Sequence, residues 1–521
     1  MTDSVVATAI RAVMSSGLLG PPGPAAALRV LREAARGGTN LYTLLAVAAA
    51  RWPDRTAIID DDGVLSYSEL QEITESLART LLEAGVRAGK PVGIMCRNGR
   101  NFVAAVFATG LIGADIVLVN TEFRADALAG ALAGHQIQTM FCDNEFLDQI
   151  HHASDAITAI DPLQAKPCPG SRPQVARSGR IVLLTSGTTG VPKGVPRTPK
   201  VSSGLGVGVT ILERTGLHVG TRMAMATPMF HGLGFGMLTL TVSLGGTILT
   251  HRRFDAEATL AQASLHRADS MSAVPIMLAR ILDLPQRVRA RNPLSCLRVV
   301  VSSGDRLEPG LARRFMDAYG DVVYNLYGST EVGIGSLATP AELRRFPETV
   351  GRPVAGCPVR IFSRAGRPVG PRVTGRIFVG GELNSEGYSG GGTERKAVID
   401  GMTSTGDMGY LDEIGRLYIV GREDDMVVSG GENVYPRALE NALAGHPDIA
   451  ENAVVGVPDE QFGKRLVAFV VPRSGSDVDA AGLREFLKGK VSRFEQPRDI
   501  NIVSSIPRNP AGKVIRRELS G

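Results

Sequence analysis

Sulfur, leader sequences and charge clusters are all scarce in this chain, and each scarcity removes a class of protein. Five cysteines stand in 521 residues: Cys96, Cys142, Cys168, Cys296 and Cys357. No two have the C-x-x-C spacing of a zinc or dithiol redox site. The start, Met1-Thr2-Asp3-Ser4, lacks the basic residues of a secretory signal, and the apolar stretch after it is short. Reduced thiols in a cytoplasmic compartment are therefore expected, not a disulfide framework. Lys and Arg number 57 against 52 Asp and Glu, a net charge of +5, with no basic tract of the kind that grips nucleic acid. No nucleic-acid partner is expected, and the mild excess suits acidic small molecules. Internal repeats are absent, as is the G-x-x-x-x-G-K-[ST] nucleotide loop. One long run lacks charge: residues 223–250 carry no fixed charge and could span a bilayer by length. Pro228, His231, several glycines and the hydroxyls of Thr239, Thr241 and Ser243 interrupt it. A buried strand, turn and helix near a pocket is the expectation there.

What is present is ordinary in bulk and informative in order. Apolar residues make up 44% and charged residues 21%, as in soluble globular proteins, and the length exceeds one core. Strand-like and helical patterns alternate from Trp52: strands over 56–60, 92–95 and 116–119, helices over 68–84 and 101–113. Such alternation predicts an α/β sheet covered by helices. The stretch 155–179, rich in Pro, Ser and Ala, reads as a surface linker, and 401–421 as a hairpin turning at Asp412-Glu413-Ile414-Gly415. Beyond it, helices over 438–444 and 480–487 alternate with strands over 453–457 and 467–471 in about 100 residues, a normal domain size. The expected division is 1–40, a helical extension; 41–423, a large domain; and 424–521, a small one. Within the extension, a helix over 25–36 would place Arg29, Arg32 and Arg36 on one side. A basic amphipathic helix can make peripheral contact with a membrane; packing against the main domain is the preferred expectation.

Chemistry enters at Leu184-Thr185-Ser186-Gly187-Thr188-Thr189-Gly190-Val191-Pro192-Lys193-Gly194, which follows a short β-type run. Glycines let backbone N–H groups approach phosphate oxygens, hydroxyls add donors, and Lys193 adds a point charge. The same residue types mark ordinary surface turns. Four further segments follow: Tyr327-Gly328-Ser329-Thr330-Glu331, Ser404-Thr405-Gly406-Asp407, Gly421-Arg422-Glu423-Asp424-Asp425, and Pro507-Arg508-Asn509-Pro510-Ala511-Gly512-Lys513. With all five in this order, the chain resembles the adenylate-forming enzymes, which include acyl-CoA synthetases, luciferases and peptide-synthetase adenylation domains. It looks most like a fatty acyl-CoA synthetase, and the resemblance runs from about residue 45 to the C-terminus.

The resemblance implies a large N-terminal domain of α/β sheets and a small, mobile α+β domain turning about a hinge at Asp424. It implies activation of a carboxylate by ATP with Mg²⁺, giving acyl-AMP, then transfer to coenzyme A. Thr185, Ser186, Gly187, Thr188, Thr189, Gly190 and Lys193 would hold the phosphates. Ser303, Gly304, Tyr327, Gly328, Ser329, Thr330, Asp407 and Arg422 would line the adenine and ribose. Glu331 would hold the metal, which prefers hard oxygen ligands. Tyr327 offers a flat face for stacking, and Asp407 could accept from two ribose hydroxyls, although it and Arg422 could equally form a plain ion pair. Lys513, in a solvated tail by composition, would reach the reacting phosphate and neutralise its charge. No general base is required, since a carboxylic acid is already ionised at pH 7. His231 completes the catalytic set with Lys513 and Glu331, bordering the substrate carboxylate; a lone histidine among apolar residues is otherwise a core residue. Ser429, Gly430, Gly431 and Glu432 would flank the coenzyme A tunnel.

Phe235, Gly236, Leu238 and Val274 are expected to line the acyl pocket. No charged residue stands there to bind an ammonium, so an apolar acyl chain fits better than an amino acid, and a medium- to long-chain fatty acid is expected. Four positions depart from the pattern: Asp305 and Arg306 replace small residues, Pro199 stands where histidine is usual, and Arg376 where glutamate is common. An acyl-AMP ligase serving a carrier protein and a non-catalytic nucleotide- or fatty-acid-binding protein are the alternatives. The sequence leaves assembly as a homodimer open.

Overall fold

Strands apolar along their whole length predict sheets covered on both faces, and two such sheets form the bulk of the fold. In the computed structural model the described residues are 13–18, 24–123, 125–185, 192–199, 201–390, 396–423, 427–429, 432–459, 463–491, 495–509 and 512–519. One sheet has six strands in the order Thr158–Ile160, Thr139–Cys142, Pro91–Met95, Asp115–Leu118, Ile181–Thr185 and Lys193–Arg197. All are parallel except the last, which returns antiparallel on Ile181–Thr185. The second has nine strands, with a parallel centre from Thr56–Asp60 to Val323–Ser329 and antiparallel strands at both edges. The expected α/β architecture is present.

Helices fill the space between and around these sheets. Helix α1 (Pro24–Gly37) packs on α2 (Tyr42–Arg51). Helix α3 (Tyr67–Glu83) starts at a reciprocal cap, in which Ser66 accepts from the Glu69 amide and Glu69 accepts from the Ser66 amide. Helix α4 (Arg100–Leu111) is buried from Asn101 to Leu111, which explains why it is apolar all round. The uncharged run resolves into the strand Arg222–Met225, helix α6 (Gly232–Ser243) and the strand Thr247–Leu249, preceded by helix α5 (Val201–Thr215). No helix among the described residues is long and apolar enough to cross a membrane.

A third sheet, antiparallel and five-stranded, contains the expected hairpin as Met402–Leu411 and Leu417–Arg422. The fourth sheet draws all its strands from residues 427–502: Glu432–Val434, Val427–Ser429, Gly463–Pro472, Ile449–Asp459 and Asp499–Ile502. Helices α7 (Pro436–Ala444) and α8 (Ala480–Leu487) bury Leu439, Leu443, Leu483 and Leu487 against Val454 and Leu466. Its two long strands outrun the expected 453–457 and 467–471, because hydrophobic alternation reports only the buried middle of a hairpin whose ends are polar. The expected hinge, Asp424, lies outside the described residues, as do Gly430 and Gly431. Their neighbours Ser429 and Glu432 are antiparallel register partners.

The buried hydroxyl of Tyr67, on α3, donates to the Gly246 carbonyl at 2.7 Å, at the turn entering Thr247–Leu249. Tyr67→Phe leaves that carbonyl without a partner and is expected to cost about 1–2 kcal/mol. Denaturant titration of the two proteins checks it, and an unchanged midpoint would mean that the bond contributes nothing.

Candidate active site

All four sheets contribute to one cavity of about 1560 Å³, and the chemical segments of the sequence converge on it. The strand Val323–Ser329 brings Tyr327, Gly328 and Ser329 to the rim. Opposite, Asp407 and Arg422 are direct cross-strand partners in the third sheet. Such pairs face each other within side-chain reach, and the Arg422 guanidinium lies 3.5 Å from Asp407 Oδ1. Tyr327 donates its hydroxyl to Asp407 Oδ2 at 2.6 Å. Burial, and then the Asp407 charge, hold the Tyr327 phenol well above its usual range, so it stays a donor. Gly406 has φ +82°, and a Cβ there would lie 3.1 Å from the Arg422 guanidinium and 3.2 Å from Lys396 Nζ, so glycine gives both cations room. Ser303 and Gly304, at the end of the strand Val299–Ser302, line the same cavity.

Glu331 lies in the turn closed by the pairing of Ser329 with Gly333. Its carboxylate accepts from Ser329 Oγ at 2.8 Å and Tyr388 Oη at 2.7 Å. Burial would raise its pKa, but these two hydroxyls and the charge of Lys396 outweigh that and hold it below the ordinary glutamate value. The group is therefore an ionised carboxylate on the cavity wall, a donor suited to Mg²⁺. No cluster of three or more acidic, His or Cys side chains is found among the described residues. One carboxylate fits a Mg²⁺ ion that takes its other oxygens from phosphates and water. Tyr388 also faces Lys193, whose Nζ lies 5.6 Å from the ring centroid. Lys193 reaches the cavity because Thr185 and Lys193 are register partners across the expected phosphate loop. Ser186, Gly187, Thr188, Thr189 and Gly190 lie outside the described residues. Arg197 donates to the carbonyls of Leu383, at 2.6 Å, and of Thr330. Burial lowers its pKa to about 10, which leaves it charged at neutral pH.

Away from these charges the cavity turns apolar. Along α6 the wall is Gly232, Leu233, Gly236, Met237 and Leu240, with Thr239 and Ser243. From Gly232 to Ser243 the helix extends roughly 16 Å. Val274 and Ile276, Leu183, Val207 and Ile211 close the sides. A Cβ at Gly208 or Gly236 would meet no atom within 4 Å, so the compartment is wide there. Two expected pocket residues are corrected. Phe235 and Leu238 are not on the cavity wall; Leu238 is fully buried in the main core and Phe235 packs against it. Sequence adjacency to Gly236 suggested them, but at 100° per residue they fall on the opposite face of the helix.

His231 caps the near end of α6 and lines the cavity, its ring 4.4 Å from that of Phe230. Its Nε2 is buried with no hydrogen-bond partner among the described residues. Burial lowers its pKa to about 4, so the imidazole is neutral. Lys513 also lines the cavity, on a loop pressed against Val274 and Ile276. Sequence reasoning missed Tyr388 and Lys396, isolated residues in a glycine-rich stretch with no local signal. It also missed Val13, Leu18, Leu41 and Leu44, which line the cavity from the N-terminal segment. That segment is anchored by the Val219 amide to the Ser16 carbonyl at 2.8 Å and by Arg51 to the Leu18 carbonyl at 2.7 Å.

Comparison with known proteins agrees with this geometry. Residues 45–389 match the family model described as AMP-binding enzyme, and 438–513 match the AMP-binding enzyme C-terminal domain. The chain is 32% identical to an indoleacetate–CoA ligase of Aromatoleum aromaticum, over 89% of this chain and 94% of that protein. It is 31% identical to a 2-succinylbenzoate–CoA ligase of Bacillus cereus, over 90% and 95%. It is likewise 31% identical to a feruloyl-CoA synthase of an Amycolatopsis species, over 90% and 96%. The solved structure of an o-succinylbenzoate CoA synthetase from Bacillus subtilis, in complex with ATP and magnesium ion, superposes with a TM-score of 0.80 at 28% identity, covering 92% of this chain and 99% of that one.

The neutral state of His231 has a stability consequence. The unfolded imidazole titrates near 6.5, so below that pH the unfolded chain binds the extra proton and the folded one resists it. Stability is expected to fall as pH drops from about 6.5 to about 4, by up to about 3 kcal/mol from this residue. Unfolding midpoints across that range should show a flatter profile for His231→Phe than for the unaltered protein. Parallel profiles would count against a buried neutral histidine.

Proposed function

Because the chain belongs to the AMP-binding enzyme family, we propose that it is an ATP-dependent, AMP-forming acid–CoA ligase acting on a bulky apolar, ring-bearing carboxylic acid. The observation that carries this reading is a single cavity holding Glu331, Asp407 and Lys513 at one end and the apolar face of α6 at the other. The acid would lie with its carboxylate near His231 and its apolar body along Leu233, Met237 and Leu240. No side chain of the α6 wall is ionised, which disfavours a second charge on the substrate. The width at Gly208 and Gly236, and relatives named for indoleacetate, succinylbenzoate and ferulate, favour a ring over the straight fatty chain expected from sequence.

The chemistry follows from charge. An oxygen of the acid bonds to the α-phosphorus of ATP, the bond to the bridging oxygen breaks, and pyrophosphate leaves with the electron pair. Two anions must approach, so fixed and mobile cations govern the barrier. Lys193 and Lys396 sit on the cavity wall, and Lys513 enters from its loop. Tyr327 holds Asp407 in place to accept the ribose hydroxyls, with Arg422 beside it. Glu331 would hold Mg²⁺, which supplies neutralisation of phosphate charge when bound. Neutral His231 can offer a hydrogen bond or a wall, not a positive charge. In the second step the coenzyme A sulfur bonds to the acyl carbon, AMP leaves, and the thiol proton passes to solvent.

A panel pairing aryl acids with straight-chain acids of equal carbon number, supplied with ATP, Mg²⁺ and coenzyme A, tests the reading by mass spectrometry of products. Aryl acids should give acyl-CoA with kcat/KM about tenfold or more above their straight-chain partners, the discrimination that shape alone provides. Preference for the straight chains would return the fatty-acid expectation, and acyl-AMP without acyl-CoA would overturn coenzyme A as acceptor. Lys513→Ala should slow acyl-AMP formation by about 10²-fold or more, as loss of a key electrostatic contact does. Undiminished pyrophosphate release by that variant would remove Lys513 from the mechanism.

A further inference from the structure

The two residues after Gly304 depart from small side chains, and they carry charge into the cavity wall. Asp305 Oδ2 accepts from Arg508 Nη1 at 3.2 Å. The same Nη1 donates to the Gly512 carbonyl at 2.7 Å, and Arg508 Nε reaches Glu451 Oε2 at 3.0 Å. One guanidinium therefore joins the turn after the interior strand Val299–Ser302 of the nine-stranded sheet, the fourth sheet and the segment that bears Lys513.

That segment is closed on itself. Arg508 and Val514 form a bridge, Asn509 N donates to the Lys513 carbonyl at 2.8 Å, and Lys513 N donates to Asn509 Oδ1 at 2.9 Å. Gly512, at φ +80°, lies so close to the acyl wall that a Cβ would be 2.8 Å from Ile276 and 2.9 Å from Val274. The backbone of Lys513 is thus set by its bonds to Asn509, by Gly512 on the wall and by Arg508 on Asp305 and Glu451. A second ionic contact runs beside the first: Arg306 lies 3.8 Å from Glu440, which accepts from Arg516 at 2.7 Å. Asp305 is half-buried, and burial raises its pKa against the pull of the Arg306 amide and then of the Arg508, Lys513 and Arg516 charges, so its carboxylate is favoured by a cation nearby. Asp305 Oδ1 accepts from the Arg306 amide at 2.8 Å, while its Oδ2 gains the Arg508 partner when the Lys513 loop is seated.

We propose that Asp305, acting through Arg508, is a positioning residue that seats the Lys513 loop for acyl-AMP formation. This rests on Lys513 serving that step, as argued above. A small residue at 305 would remove the ionic contact between Arg508 and the strand end that carries Gly304.

The test measures pyrophosphate release with a saturating acid and no coenzyme A, for Asp305→Asn, Arg508→Gln, their double variant, and each single change on Lys513→Ala. Asp305→Asn is expected to lower kcat about tenfold while the KM for ATP moves less than about threefold. The double variant should be no worse than the more damaging single one, and on Lys513→Ala the Asp305→Asn change should cost less than about twofold more. Thermal melting of each variant separates loss of fold from loss of positioning, and the comparison uses those that melt with the parent. Multiplying losses on Lys513→Ala, or a raised KM for ATP with kcat intact, would overturn the proposal; the latter would make Asp305 a nucleotide contact. If Lys513→Ala itself keeps full activity, the mechanism fails before the positioning claim is reached.

Discussion

The hydrogen bond from Tyr327 to Asp407 is the contact on which the site depends. It ties the end of a strand in the nine-stranded sheet to the middle of a hairpin in the third sheet. The two groups suit each other because burial keeps the phenol protonated while Arg422 lies close enough to balance the carboxylate. A neutral donor and a compensated anion can share a buried seam, whereas an unpaired carboxylate there would be costly. Everything else on the nucleotide side is arranged around that seam.

The same logic of compensation recurs at Glu331 and at Asp305, with different outcomes. Glu331 receives two hydroxyl donors and a nearby lysine, and it stays ionised at the cavity wall. Asp305 receives an arginine from the C-terminal segment, 203 residues away. The first arrangement combines Ser329, two residues away, with Tyr388, 57 residues away in sequence. The second exists only while separate parts of the chain are in contact. Fixed charge therefore marks where a ligand's phosphates can be met, and shared charge marks where the parts of the protein meet each other.

Between these charged regions and the apolar compartment the boundary is sharp, and one helix draws it. Helix α6 carries no ionised side chain, so its cavity face accepts apolar matter along its length, with neutral His231 at the entrance. Leu18 from the N-terminal segment and Leu44 from α2 also line the cavity. The exposed Leu28 and Leu31, on α1, point away from the core.

Short-range physics was legible in the sequence. Strands 56–60 and 92–95, the helix beginning near residue 68, and the hairpin turning at 412–415 follow from periodicity and turn chemistry, because each is specified by neighbours in the chain. The five motif segments gave the family, because the spacing of glycine, hydroxyl and charged residues is itself the signal. Convergence of those segments on one cavity was not legible, nor were the partners Tyr388, Lys396 and Arg508, whose contacts join residues 57 to 203 positions apart. Phe235 and Leu238 show the same limit on a smaller scale: composition marked the right helix, but the face it turns to the cavity depends on what packs behind it. The sequence by itself determined the elements and the chemical repertoire; tertiary packing decided which charges meet, since buried charge is stable only beside a partner that the rest of the chain must deliver.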